Sequence, residues 1–131
     1  MIALDTNVLV RFLVQDDQLQ FERARRLIKR EAGRGDSVFI SLLVLLETEW
    51  VLRSRYEFSK SEIIDTYSGL LDSVEVRFED EAALEQALFV WQESNAEFAD
   101  CLIGARHLLL GCSGTASFDE KAVKLPGFIS V

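Results

Sequence analysis

The spacing of hydrophobic positions changes repeatedly along the chain, and each change marks an element. Met1-Ile-Ala-Leu4 is a short apolar run ending at Asp5, the pattern of a buried strand that presents a carboxylate at its C-terminal end. Thr6 and Asn7 offer N-cap chemistry ahead of Val8, Leu9, Phe12 and Leu13, which are spaced as on a helix. From about Leu19 to Ala32, Phe21, Ala24, Leu27 and Ile28 recur every three or four positions among Arg, Lys and Glu, describing an amphipathic helix that Gly33 to Gly35 ends. Val38-Phe39-Ile40 reads as a second buried strand, and Ser41 can cap a helix from Leu42 to about Arg55.

Ser59 and Glu62 have capping-box spacing ahead of Ile63, Ile64, Tyr67, Leu70 and Leu71, so another helix starts there. Val74 to Phe78 alternates as a strand exposed on one face, and Asp80 and Glu81 favour the start of a helix through Leu84, Ala87, Leu88 and Trp91. A further helix is predicted from about Glu97 to Leu110, with Gly111 as its stop, and Gly114 to Phe118 and Phe128 to Val131 read as strands. Strands alternating with helices predict an α/β domain over residues 1–131, with a central, mostly parallel sheet of about five strands and helices on both faces, a three-layer α/β/α arrangement. Ligands of such folds bind beyond the C-terminal ends of the strands, where Asp5 and Asp119 fall.

Composition narrows the class. A chain of 131 residues, 49% hydrophobic with one proline, is long enough to bury roughly two-thirds of its unfolded surface without disulfide or structural metal. Uninterrupted apolar stretches such as Leu42 to Leu46 fall far short of the roughly 20 residues that span a bilayer, and no basic-then-apolar leader opens the chain; a soluble, cytoplasmic protein is expected. Cys101 and Cys112 would lie roughly 16 Å apart on one helix, too far to bridge, and read as reduced core residues.

The net charge of −8 argues against a nucleic-acid partner, because affinity for phosphate usually comes from Lys and Arg. Its distribution weakens that objection: residues 1–66 hold eleven of the 22 acidic side chains but ten of the 14 basic ones. The basic run Arg23, Arg25, Arg26, Lys29, Arg30 and Arg34 is either a solvated helix face or a surface for an anionic ligand.

Four acids stand among apolar neighbours. Asp5 ends a strand, Glu47 interrupts an apolar helix, Asp100 lies between Phe98-Ala99 and Cys101-Leu102-Ile103, and Asp119 follows Ala116-Ser117-Phe118. An ionised carboxylate in apolar surroundings needs a partner or a proton, and a shared hard cation would serve all four. Magnesium, with manganese as its substitute, suits oxygen ligands that leave places for water and phosphate. Each acid also has a structural explanation: a cap at Asp5, a pair with Arg53 at Glu47 with Glu49 as the rival ligand, a dipole complement at Asp100, a turn at Asp119. His107, seven residues after Asp100, reads as a partly buried helix residue and not as a general acid; Trp50, Trp91 and the nine phenylalanines could stack on bases, but most occupy helical core positions and read as core.

Taken together, Leu4-Asp5-Thr6-Asn7-Val8-Leu9-Val10-Arg11, Leu46-Glu47-Thr48-Glu49-Trp50-Val51-Leu52, Phe98-Ala99-Asp100-Cys101-Leu102-Ile103-Gly104-Ala105 and Ser117-Phe118-Asp119-Glu120-Lys121 resemble the PIN-domain family, specifically its VapC-type toxins. The resemblance spans nearly the whole chain and implies a PIN-like nuclease fold in which Asp5, Glu47, Asp100 and Asp119 form a metal-binding acidic pocket supported by Ser117. It casts Thr6 and Asn7 as supporting or substrate-orienting residues. Arg11, one helical turn beyond Asn7, either contacts RNA phosphate or forms a structural salt bridge. The implied activity is metal-dependent endoribonuclease cleavage of single-stranded or loop RNA, leaving a 5′-phosphate and a 3′-hydroxyl, by the toxin of a type II toxin-antitoxin pair. The implied partners are a second copy and an antitoxin that brings a basic side chain to the acidic pocket.

The alternative within the family is a catalytically inactive PIN-like domain that binds RNA or protein. A phosphoacceptor receiver domain is disfavoured because the second strand ends at Ile40-Ser41 without an aspartate. A haloacid-dehalogenase-like phosphatase is disfavoured because Asn7 stands where its second aspartate is needed.

Overall fold

A computed structural model describes all residues from Met1 to Val131, which divide into two compact units, Met1–Glu79 and Asp80–Val131. In the first, β1 (Ile2–Ala3), β2 (Val38–Ile40) and β3 (Val76–Phe78) form a parallel sheet in that order, with Ile2 opposite Val38 and Val38 opposite Val76. Parallel neighbours need long crossovers. Here α1 (Thr6–Val14) and α2 (Gln18–Gly33) lead from β1 to β2, and α3 (Leu42–Arg55) and α4 (Lys60–Leu71) lead from β2 to β3.

Val38, Ile40, Leu45, Leu52, Ile63 and Tyr67 are fully buried and form the centre of this unit's core. The Tyr67 hydroxyl donates to the Leu45 carbonyl at 2.7 Å, so its burial leaves no unpaired donor. The Ser59–Glu62 capping box forms as predicted. Helix α3 is started by Ser41, whose hydroxyl accepts from Val44 N at 3.2 Å, and by Glu79, whose carboxylate accepts from Leu42 N at 3.0 Å.

In the second unit α5 (Glu81–Gln92) packs on α6 (Phe98–Leu109), with the Trp91 and Phe98 ring centroids 5.2 Å apart. The Arg106–Asp80 ion pair at 2.8 Å ties α6 to the cap of α5. Strands β4 (Thr115–Ser117) and β5 (Phe128–Ser130) pair in parallel, and a 3-10 turn at Ala122–Lys124 lies between them. Gly104 lets β5 approach α6: a Cβ there would come within 2.3 Å of Phe128 Cε1.

The α/β class and five parallel strands agree with the sequence pattern, but the hydrogen bonding joins them as three strands and two. Three local expectations are corrected. Of the caps the sequence offered for α1, the structure uses Asp5 and corrects Thr6 and Asn7: Asp5 is extended and Thr6 is already helical, with its hydroxyl engaged elsewhere. Cys112 lies beyond α6 and is exposed, so only Cys101 is a core cysteine. Trp50 is 52% exposed where a core residue was expected, whereas Trp91 is buried as expected.

Candidate active site

In the first unit the turn from β1 into α1 builds an anchored pair of carboxylates. Leu4 N donates to the Phe39 carbonyl at 2.9 Å, carrying the β1–β2 pairing up to Asp5. Asp5 Oδ1 accepts the amide hydrogen of Val8 at 3.0 Å, which fixes the carboxylate at the positive end of α1 and leaves Oδ2 outward. Thr6, 9% exposed, points its hydroxyl away from the helix and donates to Glu47 Oε1 on α3. One oxygen of each acid is thereby held by the protein and the other is presented.

The two acids of α3 differ in their surroundings. Glu49 is buried on another face of α3 and takes the Arg53 Nε at 2.8 Å, whereas Glu47 is exposed and makes no ion pair. Asn7 is exposed beside Asp5. Arg11 is committed to the structural role: its Nε donates to Gln20 at 2.6 Å and its Nη1 to both oxygens of Asp16, at 3.1 and 3.2 Å. The same nitrogen donates to the Tyr56 hydroxyl at 3.0 Å, which in turn donates to Asp16.

In the second unit Asp100 sits in the first turn of α6, and Asp119 follows β4. The Ser117 hydroxyl accepts from Asp119 N at 3.0 Å, and Asp119 Oδ1 accepts from Lys121 N and Ala122 N, each at 2.9 Å. The loop thus anchors Asp119 as α1 anchors Asp5. Partial burial, then the negative charges of Asp119 and Glu97, push the Asp100 carboxyl above the usual carboxylate range. His107 Nδ1 is 2.8 Å from the Thr115 hydroxyl and has a structural task. The basic residues of α2 are exposed, as a solvated face predicts; Arg25 pairs with Glu22 and Lys29 with Glu75.

In neither unit do three or more His, Cys, Asp or Glu side chains gather into a metal-holding group. Magnesium does not require that, since one or two carboxylates suffice when water and substrate phosphate complete its shell. Asp5, Glu47 and Asp119 each offer a hard oxygen whose geminal partner is fixed by a protein donor. Asp100 carries a charge conflict that a cation would relieve. Within each unit these are oxygen donors of the kind magnesium takes.

Trp50, weighed for base stacking and set aside as core on its pattern, with Arg55, Tyr56, Glu47 and Asp5 lines a cleft of about 380 Å³ between α1 and α3. Its i, i+3 spacing from Glu47 was the available signal.

Parallel strands joined by helices, in each unit with a carboxylate anchored beyond a strand, define the α/β class, and the PIN domain family model matches residues 2–127. The chain belongs to the PIN domain family. It is 24% identical over 131 residues to a VapC ribonuclease from Aquifex aeolicus (strain VF5), a match covering 100% of this chain and 96% of that protein.

Proposed function

We propose that this chain is a divalent-metal-dependent endoribonuclease, the toxin of a type II toxin-antitoxin pair, folded as one PIN-type nuclease domain over residues 1–131. Family membership supports the nuclease class, and full-length similarity to a VapC ribonuclease supports RNA as substrate. The single observation that carries the chemistry is that Asp5, Glu47 and Asp119 are each held through one carboxylate oxygen while the other stays free. Asp5, Glu47, Asp100 and Asp119 are the proposed metal-binding and catalytic residues, with Thr6, Asn7 and Ser117 in support.

Magnesium, or manganese in its place, supplies Lewis acidity toward the phosphodiester and its attacking water when bound. Thr6 orients Glu47 by hydrogen bonding, and the α1 amide of Val8 orients Asp5. Ser117 with the amides of Lys121 and Ala122 orients Asp119. Asp100, raised toward protonation by burial and by its acidic neighbours, is an acid whose ionisation a nearby cation would favour. The excess of carboxylates matches an antitoxin that presents a basic side chain, and the toxin is proposed to act as a homodimer in the cytoplasm. No helix is long and apolar enough to cross a membrane.

The test is cleavage of a mixed structured RNA pool by wild type and Asp5→Asn, each with magnesium or EDTA, with the new ends mapped. Cleavage should require the metal, leave 5′-phosphates and fall more than about 100-fold in Asp5→Asn, because outer-shell changes alone cost 10- to 100-fold. Metal-independent cleavage would overturn the mechanism. RNA binding without cleavage under every metal condition would assign the inactive, binding role instead.

A further inference from the structure

We infer that the cleft between α1 and α3 is a subsite for one nucleotide of single-stranded RNA, with Trp50 as the stacking platform for its base and Arg55 as the contact for its phosphate. The inference rests on the ribonuclease reading and adds residues that the carboxylate chemistry does not use.

Three observations converge on this cleft. First, its volume of about 380 Å³ lies within the range of small-ligand sites, about 300 to 1,000 Å³. Asp5 and Glu47 are part of its wall, so an occupant would lie directly beside the reacting phosphate. Second, Trp50 is 52% exposed one helical turn beyond Glu47, on a helix whose neighbouring Leu45 and Leu52 are fully buried. An exposed indole flanked by the apolar side chains Val10, Val44 and Val51 is a surface on which any base can stack.

Third, the cations of this region are not equivalent. Arg11 is neutralised by Asp16 and held by Gln20 and Tyr56, whereas Arg55 is exposed and makes no hydrogen bond or ion pair. An adjoining cleft of about 350 Å³ between α1 and α2 also has Asp5 in its wall and contains the exposed, unpaired Arg23. Free guanidinium groups therefore lie to either side of Asp5. A polyanion crossing that position gains a phosphate contact on each side, despite the chain's net charge of −8.

The test titrates full-length protein in EDTA, where cleavage is stopped, with a short oligouridylate while tryptophan emission is recorded. Of the two tryptophans Trp91 is 5% exposed, so quenching reports Trp50. Wild type should be quenched on binding. Trp50→Ala should bind about 5- to 100-fold more weakly, and Trp50→Phe, which keeps a ring, should recover most of that loss. Arg55→Ala and Arg23→Ala should each lower the slope of log affinity against log salt by about 0.7.

Undiminished binding by Trp50→Ala and an unchanged salt slope in Arg55→Ala, with wild type still binding RNA, would overturn this inference and leave the ribonuclease reading intact. A Trp50→Ala variant that binds RNA normally but no longer self-associates would assign the cleft to a second copy and equally overturn it. A wild type that binds no RNA would overturn this inference, whereas the ribonuclease reading stands or falls on metal-dependent cleavage.

Discussion

Replacing Gly104 by alanine should destabilise the chain, although alanine is the better helix former. Gly104 lies in α6, one turn after Asp100, where a Cβ would sit 2.3, 3.1 and 3.3 Å from Cε1, Cζ and Cδ1 of Phe128. Carbon atoms pack at about 3.5 to 4.0 Å, so the nearest contact is more than 1 Å too short. The ring belongs to β5, where Phe128 is in register with Thr115 of β4, so relieving the clash requires the bulky ring to turn or the strand to shift. Overpacking of this kind costs up to about 3 kcal/mol, and the helix-propensity gain returns about 1 kcal/mol. A net loss of about 1–2 kcal/mol, or about 3–10 °C in Tm for a chain of this size, is expected. The assay is thermal unfolding of Gly104→Ala in the wild-type and the Phe128→Ala backgrounds. With the ring removed, the same alanine should become neutral or stabilising, a reversal of sign that only the steric argument produces. Gly104→Ala as stable as wild type, or equally destabilising in both backgrounds, would refute it.

Two further predictions separate the charges. Burial and the like charges of Asp119 and Glu97 raise the folded-state Asp100 pKa above its unfolded value, so its contribution to stability is fully present below the unfolded pKa. That contribution is lost as pH rises through the folded value. Asp100→Asn should therefore match wild type in urea midpoint at acid pH and exceed it increasingly as pH rises above the ordinary carboxylate range, and magnesium should narrow the gap at neutral pH. Glu47 and Glu49 should behave oppositely: Glu47→Gln should abolish metal binding by calorimetry with Tm almost unchanged. Glu49→Gln should bind metal normally but lose about 1–2 kcal/mol, because it breaks the pair between buried Glu49 and Arg53.

Where local chemistry alone decides structure, the sequence was sufficient. The Ser59–Glu62 box, the Ser41 cap, the helical crossovers and the acids ending β1 and β4 all follow from spacing within a few residues. The failures have long-range causes. Helix α3 carries apolar residues on nearly every side: Leu45 and Leu52 are buried, but Leu43 is 77% and Trp50 52% exposed. Periodicity therefore cannot say which face meets water, and Trp50 was read as core. The start of α1 was left open between neighbouring residues because Asp5 and Thr6 are both good caps. What decides between them is Glu47, 41 residues away, which recruits the Thr6 hydroxyl and leaves the capping task to Asp5. A side chain diverted from its best local role toward a distant carboxylate marks the place where fold and function compete for the same atoms. In this chain that place is the β1–α1 turn, where the structure departs from its local rule and presents two anchored acids.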